Sequence, residues 1–188
     1  MEQEVREGLS LQLRPPEPLT ASHRLDDFEC GEAVLDDWLK RRALANRSSG
    51  ASRSFLVTDQ DSRVCGYYAM AAGAVSHQLA TSGVRRNMPD PVPVMVLARL
   101  AVDRGVQGQH LGASLLRDAV NRAVAVSQNA GVRALLVHAL HDRAKQFYKH
   151  YGFQPSPAHP MLLMLRLSSG RPDRIFPRDL RPQPLRKS

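Results

Sequence analysis

The sequence is poor in cysteine, poor in aromatics and free of long apolar runs, and each shortage excludes a class of protein. Two cysteines in 188 residues, Cys30 and Cys65, provide neither a disulfide framework nor a zinc site. Both are expected as small core residues. The seven histidines show no metal-ligand spacing, so no metal is expected. The best apolar stretch, Pro93 to Val102, falls well short of the roughly 20 residues of a membrane span and contains Arg99. The first fifteen residues are acidic and lack the apolar core of a secretory signal. A cytoplasmic protein without membrane contact is expected. A P-loop lysine is absent, and so is the Gly-x-Gly-x-x-Gly dinucleotide fingerprint. Aromatics make up only 5% of the chain, yet 43% is hydrophobic, too much for a disordered polymer. The length suits one domain with a proper core plus short tails.

What is present is unevenly charged. Residues 1–39 hold ten acids and three bases, a net −7. Residues 40–168 hold seventeen bases and six acids, a net +11, and residues 169–188 hold six bases and two acids, a net +4. This asymmetry points to a polyanion, to a partner that covers the basic surface, or simply to solvated arginine.

The hydrophobic pattern alternates between periods. Residues 1–8 and 169–188 read as tails, the second proline-rich and basic; residues 9–168 form the domain. Glu32 to Arg47 reads as one helix, with Leu35, Trp38 and Leu39 on one face. Ser54–Thr58 and Val64–Gly73 read as strands joined by a polar turn. Residues 81–93 read as a basic, proline-rich loop, and Val94–Val102 as a nearly continuous apolar strand. A glycine-bearing turn then enters a helix that buries Leu111, Leu115, Ala119, Ala123 and Val126, with Gly131 expected as its left-handed stop. Val132–Leu140 is a further strand, so 94–140 reads as a parallel strand–helix–strand unit. Asp142 is expected to cap a short helix, Arg143–Tyr151, ended by Gly152, and Met161–Leu167 is the last strand. The sum is a single α/β domain on a mixed sheet.

The turn Asp103–Gly112 carries the chemistry. A strand that passes through glycines into a helix points several N–H groups at one spot, where the helix dipole also favours an anion. The same glycines would equally serve a tight turn alone. Gln107-x-x-His110-x-Gly112, after LARLAVD (97–103), resembles the acetyl-CoA loop of the GNAT acetyltransferases. FYKHYGF (147–153) resembles the tyrosine helix of that fold. Three N-terminal segments, 28–57, 66–75 and 85–103, resemble the acetyltransferase toxins of bacterial toxin–antitoxin operons. The resemblance covers residues 10–168. His110 departs from it, standing where the general motif has glycine. It is either a tolerated surface histidine or an added phosphate donor.

The resemblance implies a GNAT-like domain in which two parting strands hold acetyl-CoA. Backbone groups of Leu100, Ala101 and Val102 would pair with the pantetheine arm. The N–H groups of Gln107, Gly108, Gln109, His110, Leu111, Gly112 and Ala113 would hold the pyrophosphate. Tyr148 would be the general acid that protonates the leaving thiolate, with Tyr151 as its rival; Tyr67 and Tyr68 are expected as strand residues. His138 and His141, near the end of the second strand, either touch cofactor or substrate or pack, with packing the expectation. The family's substrate is the amino group of aminoacyl-tRNA, whose phosphates would meet Lys40, Arg41, Arg42, Arg47, Arg53, Arg85 and Arg86. Arg99 either faces the substrate channel or pairs with Asp103 or Asp90. Implied partners are a ribbon-helix-helix antitoxin, operator DNA through it, and a second copy of the chain.

Many relatives carry a glutamate base on the strand before the loop, but residues 91–102 hold no acid. A lysine substrate is only about 0.04% neutral at pH 7, whereas an α-amine of pKa ≈ 7.7–8.0 is roughly 10–15% neutral. The difference of about 3.5 kcal/mol favours an α-amine acceptor when no base is supplied. The competing readings are acetylation of a protein N-terminus or small amine, and a binding module without catalysis.

Overall fold

Successive residues of a strand face opposite sides of a sheet, and Tyr67 and Tyr68 organise the two sides here. Tyr67 is buried with Phe28, Leu39 and Leu56, and Tyr68 with Leu97, Leu115 and Leu116. Both lie on β3 (Val64–Val75), as expected of strand residues. The computed structural model describes residues 12–167, so the tails expected over 1–8 and 169–188 lie outside the described residues.

The remaining strands are β1 (Glu17–Pro18), β2 (Arg53–Thr58), β4 (Val92–Val102), β5 (Ala134–His138), β6 (Gln154–Pro155) and β7 (Leu162–Arg166). They form one mixed sheet in the order β1-β2-β3-β4-β5-β7-β6. Only β4 and β5 pair in parallel, through Val94–Leu97 and Ala134–Val137, which is the expected strand–helix–strand unit. Its helix, α4 (Leu111–Asn129), lays Leu111, Leu115, Leu116, Ala119, Val120 and Ala123 on the Tyr68 face of the sheet. α5 (Asp142–His150) joins it there through Tyr148. The opposite face is covered by α1 (Ala33–Arg41) and α2 (Ala43–Ser49) at one end, through Leu39 and Ala43, and by α3 (Ser82–Arg85) at the other, through Val84.

Several boundaries differ from expectation, each for a local reason. The helix expected over Glu32–Arg47 is two helices, because the chain bends at Arg42 (φ −119°, ψ −30°) to bury both Leu39 and Ala43. The loop expected over 81–93 contains α3 and the first residues of β4, whose Val92 is buried beside Val84. Gly131 is not a left-handed stop; α4 ends at Ala130 in extended conformation, and the next strand begins only at Ala134. Val126, expected on the buried stripe, is 37% exposed. The cap of α5 is His141, whose Nδ1 accepts from the Ala144 N–H at 3.1 Å, and Asp142 is the first helical residue instead. Gly152 has φ +88° and ends α5 as expected.

Two features of the β4 end position everything that follows. Ala69 of β3 faces Arg99 but Met70 faces Leu97, so Ala98 is the extra residue of a β-bulge. Leu97 is also the last β4 residue paired with β5, so the two strands part where the bulge bends β4. Asp103, 2% exposed, then pins the exit from β4. It accepts from Gly105 N (2.9 Å), Glu29 N (3.1 Å) and Arg63 Nη2 (2.8 Å). Further on, His110 enters α4 at φ +61°, ψ 14°, a left-handed conformation that explains why the related motif has glycine at this place.

Substitutions at two of these places should report directly on packing and strain. A Cβ on Gly66 of β3 would lie 2.9 Å from Leu115 Cδ1 and 3.2 Å from the Ala101 carbonyl oxygen, which is fixed backbone. Gly66→Ala is expected to destabilise the fold by about 1–3 kcal/mol, read as a lowered urea midpoint at unchanged slope. His110→Gly is expected to stabilise it by about 1 kcal/mol by relieving the left-handed residue, measured in the same titration. A loss of stability at that position would mean that the imidazole holds the loop.

Candidate active site

Where β4 and β5 part, a cavity of about 510 Å³ opens between α4, α5 and the start of α1. Its floor is the free edge of β4. Asp103 N donates to Cys65 O, so alternation turns the backbone of Ala101 toward β3 and those of Leu100 and Val102 toward the cavity. Of the three residues expected to pair with an extended amide-bearing arm, Leu100 and Val102 therefore present their backbone groups, and Ala101 contributes packing. All three line the cavity.

The loop beyond β4 closes one end. Gln107 Nε2 donates to Cys30 O (2.8 Å) and Val102 O (2.9 Å), so this side chain ties the loop to the strand end. Among the described residues, the N–H groups of Gly108 through Ala113 find no backbone acceptor, and Ser114 N is the first to close a turn, on His110 O. Unpaired donors at the N-terminus of a nineteen-residue helix form a ready site for a pyrophosphate. Gln107, Gly108, His110, Leu111, Gly112 and Ala113 line the cavity; Gln109 belongs to the same exposed turn. Gly112 faces Val102 and Phe147, and a Cβ there would lie 3.7 Å from Val102 Cγ2 and 3.8 Å from Phe147 Cζ, ordinary packing contacts.

Tyr148 lines the cavity from α5 and is 7% exposed. Its ring is wedged between Phe147 (5.2 Å) and Phe153 (5.5 Å). Burial pushes its phenol well above the ordinary tyrosine range, so it keeps its proton at neutral pH. Among the described residues its hydroxyl has no hydrogen-bond partner, which leaves it available as a donor. Tyr151, the rival, also lines the cavity and is raised by burial. Tyr67 and Tyr68 are engaged elsewhere: Tyr67 donates to Leu35 O at 2.7 Å and Tyr68 to Asp118. Cys30 reaches the cavity too, but burial and then Asp36 push its thiol up to about 12. A thiol held protonated is a poor nucleophile, which argues for direct transfer over an acyl-cysteine.

The basic residues divide. Lys40, Arg41 and Arg42 are exposed at the end of α1, Arg53 at the start of β2, and Arg85 and Arg86 at α3. All of these but Arg53 lie on helices that cover the same face of the sheet. Arg47 is turned inward and donates to the Leu19 carbonyl, while Arg53 donates to Arg47 O at 3.0 Å. Neither pairing expected for Arg99 forms, because Asp103 is taken by Arg63. Instead Arg99 lines the cavity, its guanidinium 5.4 Å from the Trp38 ring centroid and its buried Nε without a partner.

Further polar side chains line this cavity. His138 and His141, expected to pack, are exposed on its wall. Glu32 stands beside them, its Oε1 3.2 Å from His141 Nε2. No local pattern signals that contact, because it depends on the sheet bringing α1 and α5 to the same opening. No cluster of three or more metal-ligating side chains occurs among the described residues.

Comparison with known proteins agrees with this geometry. Residues 51–155 match the family model described as an acetyltransferase (GNAT) domain. The chain is 52% identical over 156 residues to the "tRNA-acetylating toxin" of Mycobacterium tuberculosis (strain ATCC 25618 / H37Rv), covering 83% of this chain and 93% of that protein. The solved structure of AtaT complexed with acetyl-methionyl-tRNAfMet superposes with a TM-score of 0.76 at 29% identity, over 82% of this chain and 95% of AtaT. A tyrosine-to-phenylalanine variant of AtaT, bound to acetyl-CoA and the C-terminus of the antitoxin AtaR, gives 0.70 at 28% identity, over 83% and 94%. With this sheet, this parted pair of strands and this helix entry, the chain belongs to the GNAT acetyltransferase family.

Proposed function

We propose that the protein transfers the acetyl group of acetyl-CoA to the free amino group of aminoacyl-tRNA, and so blocks translation as the toxin of a toxin–antitoxin pair. The observation that carries this reading is the 52% identity, over 83% of the chain, to a tRNA-acetylating toxin. The cavity supports it independently. Its unpaired N–H groups at the start of α4 suit a pyrophosphate, and the free β4 edge suits the amides of a pantetheine arm.

In this mechanism Leu100 and Val102 hold the thioester against β4. Their fixed N–H groups are in place before negative charge develops on the carbonyl oxygen, which is where such donors act best. Tyr148, kept protonated by burial, gives its proton to the departing sulfur. Arg99, with Nε unpaired at the cavity wall, meets the phosphate-bearing end of the acceptor. Lys40, Arg41, Arg42, Arg85 and Arg86 contact the tRNA backbone, with Arg53 at the margin. Arg47 supports that surface from within through Leu19.

The protein acts in the cytoplasm as a homodimer, and a ribbon-helix-helix antitoxin, bound to operator DNA, covers it when translation is to continue. Among the described residues no helix is long and apolar enough to cross a membrane. The alternative acceptors, a protein N-terminus or a small amine, share the same α-amine chemistry and differ only in what the basic surface must hold.

Labelled acetyl-CoA incubated with the protein and bulk charged tRNA should place label on aminoacyl-tRNA; label confined to peptides or small amines would sink the reading. Tyr148→Phe is expected to lower kcat by about 10²–10⁴ while acetyl-CoA binding, followed by calorimetry, stays intact. Charge reversal at Arg41, Arg42, Arg85 and Arg86 should raise KM for tRNA far more than KM for acetyl-CoA, with a weakened salt dependence of tRNA binding.

A further inference from the structure

A carboxylate in the cavity has no role in the mechanism so far. Glu32 is the one acid lining the cavity among the described residues. It holds the N-cap position of α1, yet its side chain caps nothing. Its backbone carbonyl meets the helix instead, accepting from Leu35 N and Asp36 N. The carboxylate is thereby released from structural duty and turns toward α5.

There it meets His141, whose two ring nitrogens are both engaged. Nδ1 accepts the Ala144 N–H at 3.1 Å, so in the neutral ring the proton sits on Nε2, which lies 3.2 Å from Glu32 Oε1. The imidazole therefore orients the carboxylate and has no free lone pair of its own. Both side chains are 45% exposed, open enough for an incoming amine to reach the second carboxylate oxygen. His141 caps the start of α5 and Tyr148 lies within that helix, and both line the cavity.

The geometry points to Glu32 as the proton acceptor of the transfer, with His141 as its positioning residue, a role that rests on the acetyl transfer proposed above. As the N–C bond forms, the attacking nitrogen becomes positively charged and strongly acidic, and Glu32 takes one of its protons. The C–S bond breaks, and Tyr148 protonates the sulfur. Solvent then removes the proton from Glu32 and returns one to Tyr148, so the products are the acetylated amine and the free thiol of coenzyme A. Arg99, Arg143 and His138 also line the cavity, from β4, α5 and β5. A guanidinium offers donors and no acceptor, which leaves His138 as the competing acceptor.

Substitutions at Glu32 separate this role from a structural one. Glu32→Gln keeps an oxygen for His141 Nε2 and removes only the base. It is expected to lower kcat by about 10²-fold with KM for acetyl-CoA and the thermal midpoint unchanged. Glu32→Ala should be equally slow, and added formate should restore its turnover in proportion to formate concentration, which no packing defect would do. His141→Asn, which retains a capping oxygen for Ala144, should lower kcat several-fold and leave both KM values unmoved. Turnover of Glu32→Gln within twofold of wild type, or a Glu32→Ala enzyme indifferent to formate, overturns the assignment and leaves His138 to be tested. Each variant is assayed on charged tRNA and on an aminoacyl amide. If wild type acetylates only the amide and Glu32→Gln still loses that reaction, the base stands and the tRNA reading falls. If wild type acetylates neither, both fall.

Discussion

The parting of β4 from β5 is the constraint on which the rest of the structure depends. A parallel pair has no reason of its own to stop pairing, since every residue of both strands gains from continuing the ladder. The bulge at Ala98 supplies the reason, because the extra residue bends β4 away just after Leu97, its last pairing with β5. Backbone groups of Leu100 and the N–H of Val102, left without a strand partner, are costly to bury and useful to expose. A ligand that brings its own amides satisfies them, so the defect in the sheet doubles as the binding edge. On its other side β4 stays paired with β3 through the bulge as far as Val102, and Asp103 locks the exit with three hydrogen bonds. The edge is therefore open but stiff, as a site that must hold an acyl group in one orientation requires.

The same logic runs through the loop and α4. Gln107 is spent on the strand end, which frees the N–H groups that follow from any need to hold the loop together. His110 accepts a left-handed conformation to start the helix at that point. Strain stored at one residue thus buys a row of aimed donors, and α4 is anchored firmly enough to bear it. Leu115, Leu116, Ala119 and Val120 are each fully buried against the sheet.

How much of this was legible in the sequence depends on the range of the interaction. The strand–helix–strand unit from Val94 to Val137 announced itself because periods of two and of 3.6 are local signals. Tyr148 and the 107–112 turn stood out only through their resemblance to a family's motifs, since a glycine turn and an aromatic on a short helix are otherwise explained by turning and packing. The bend at Arg42 was not legible, because both arms of the helix are amphipathic, and only the need to bury Leu39 and Ala43 against β-strands breaks it. His141 was passed over as a cap in favour of Asp142, since acidic residues cap helices far more often. Glu32 was invisible as part of the site. Its partner lies across the opening on another element, and no spacing along the chain signals a contact of that range.

The uneven charge acquires a structural meaning from these contacts. Five acids of the N-terminal segment are matched to nearby basic side chains: Asp27, Glu29 and Asp37 form ion pairs with Arg24, Arg104 and Arg41, and Glu17 and Glu32 lie against His23 and His141. Exposed pairs of this kind contribute little stability. Their effect is on the field, since acids matched to nearby bases do not form a repulsive patch beside a polyanion. Meanwhile Lys40, Arg42, Arg53, Arg85 and Arg86 enter no ion pair among the described residues, so their charge remains available to a partner. Two of the pairs, Glu29–Arg104 and Glu32–His141, also bridge the N-terminal segment to the strand exit and to α5. The acidic segment is thus the wall that completes the cavity, and it brings there the one carboxylate among the residues lining it.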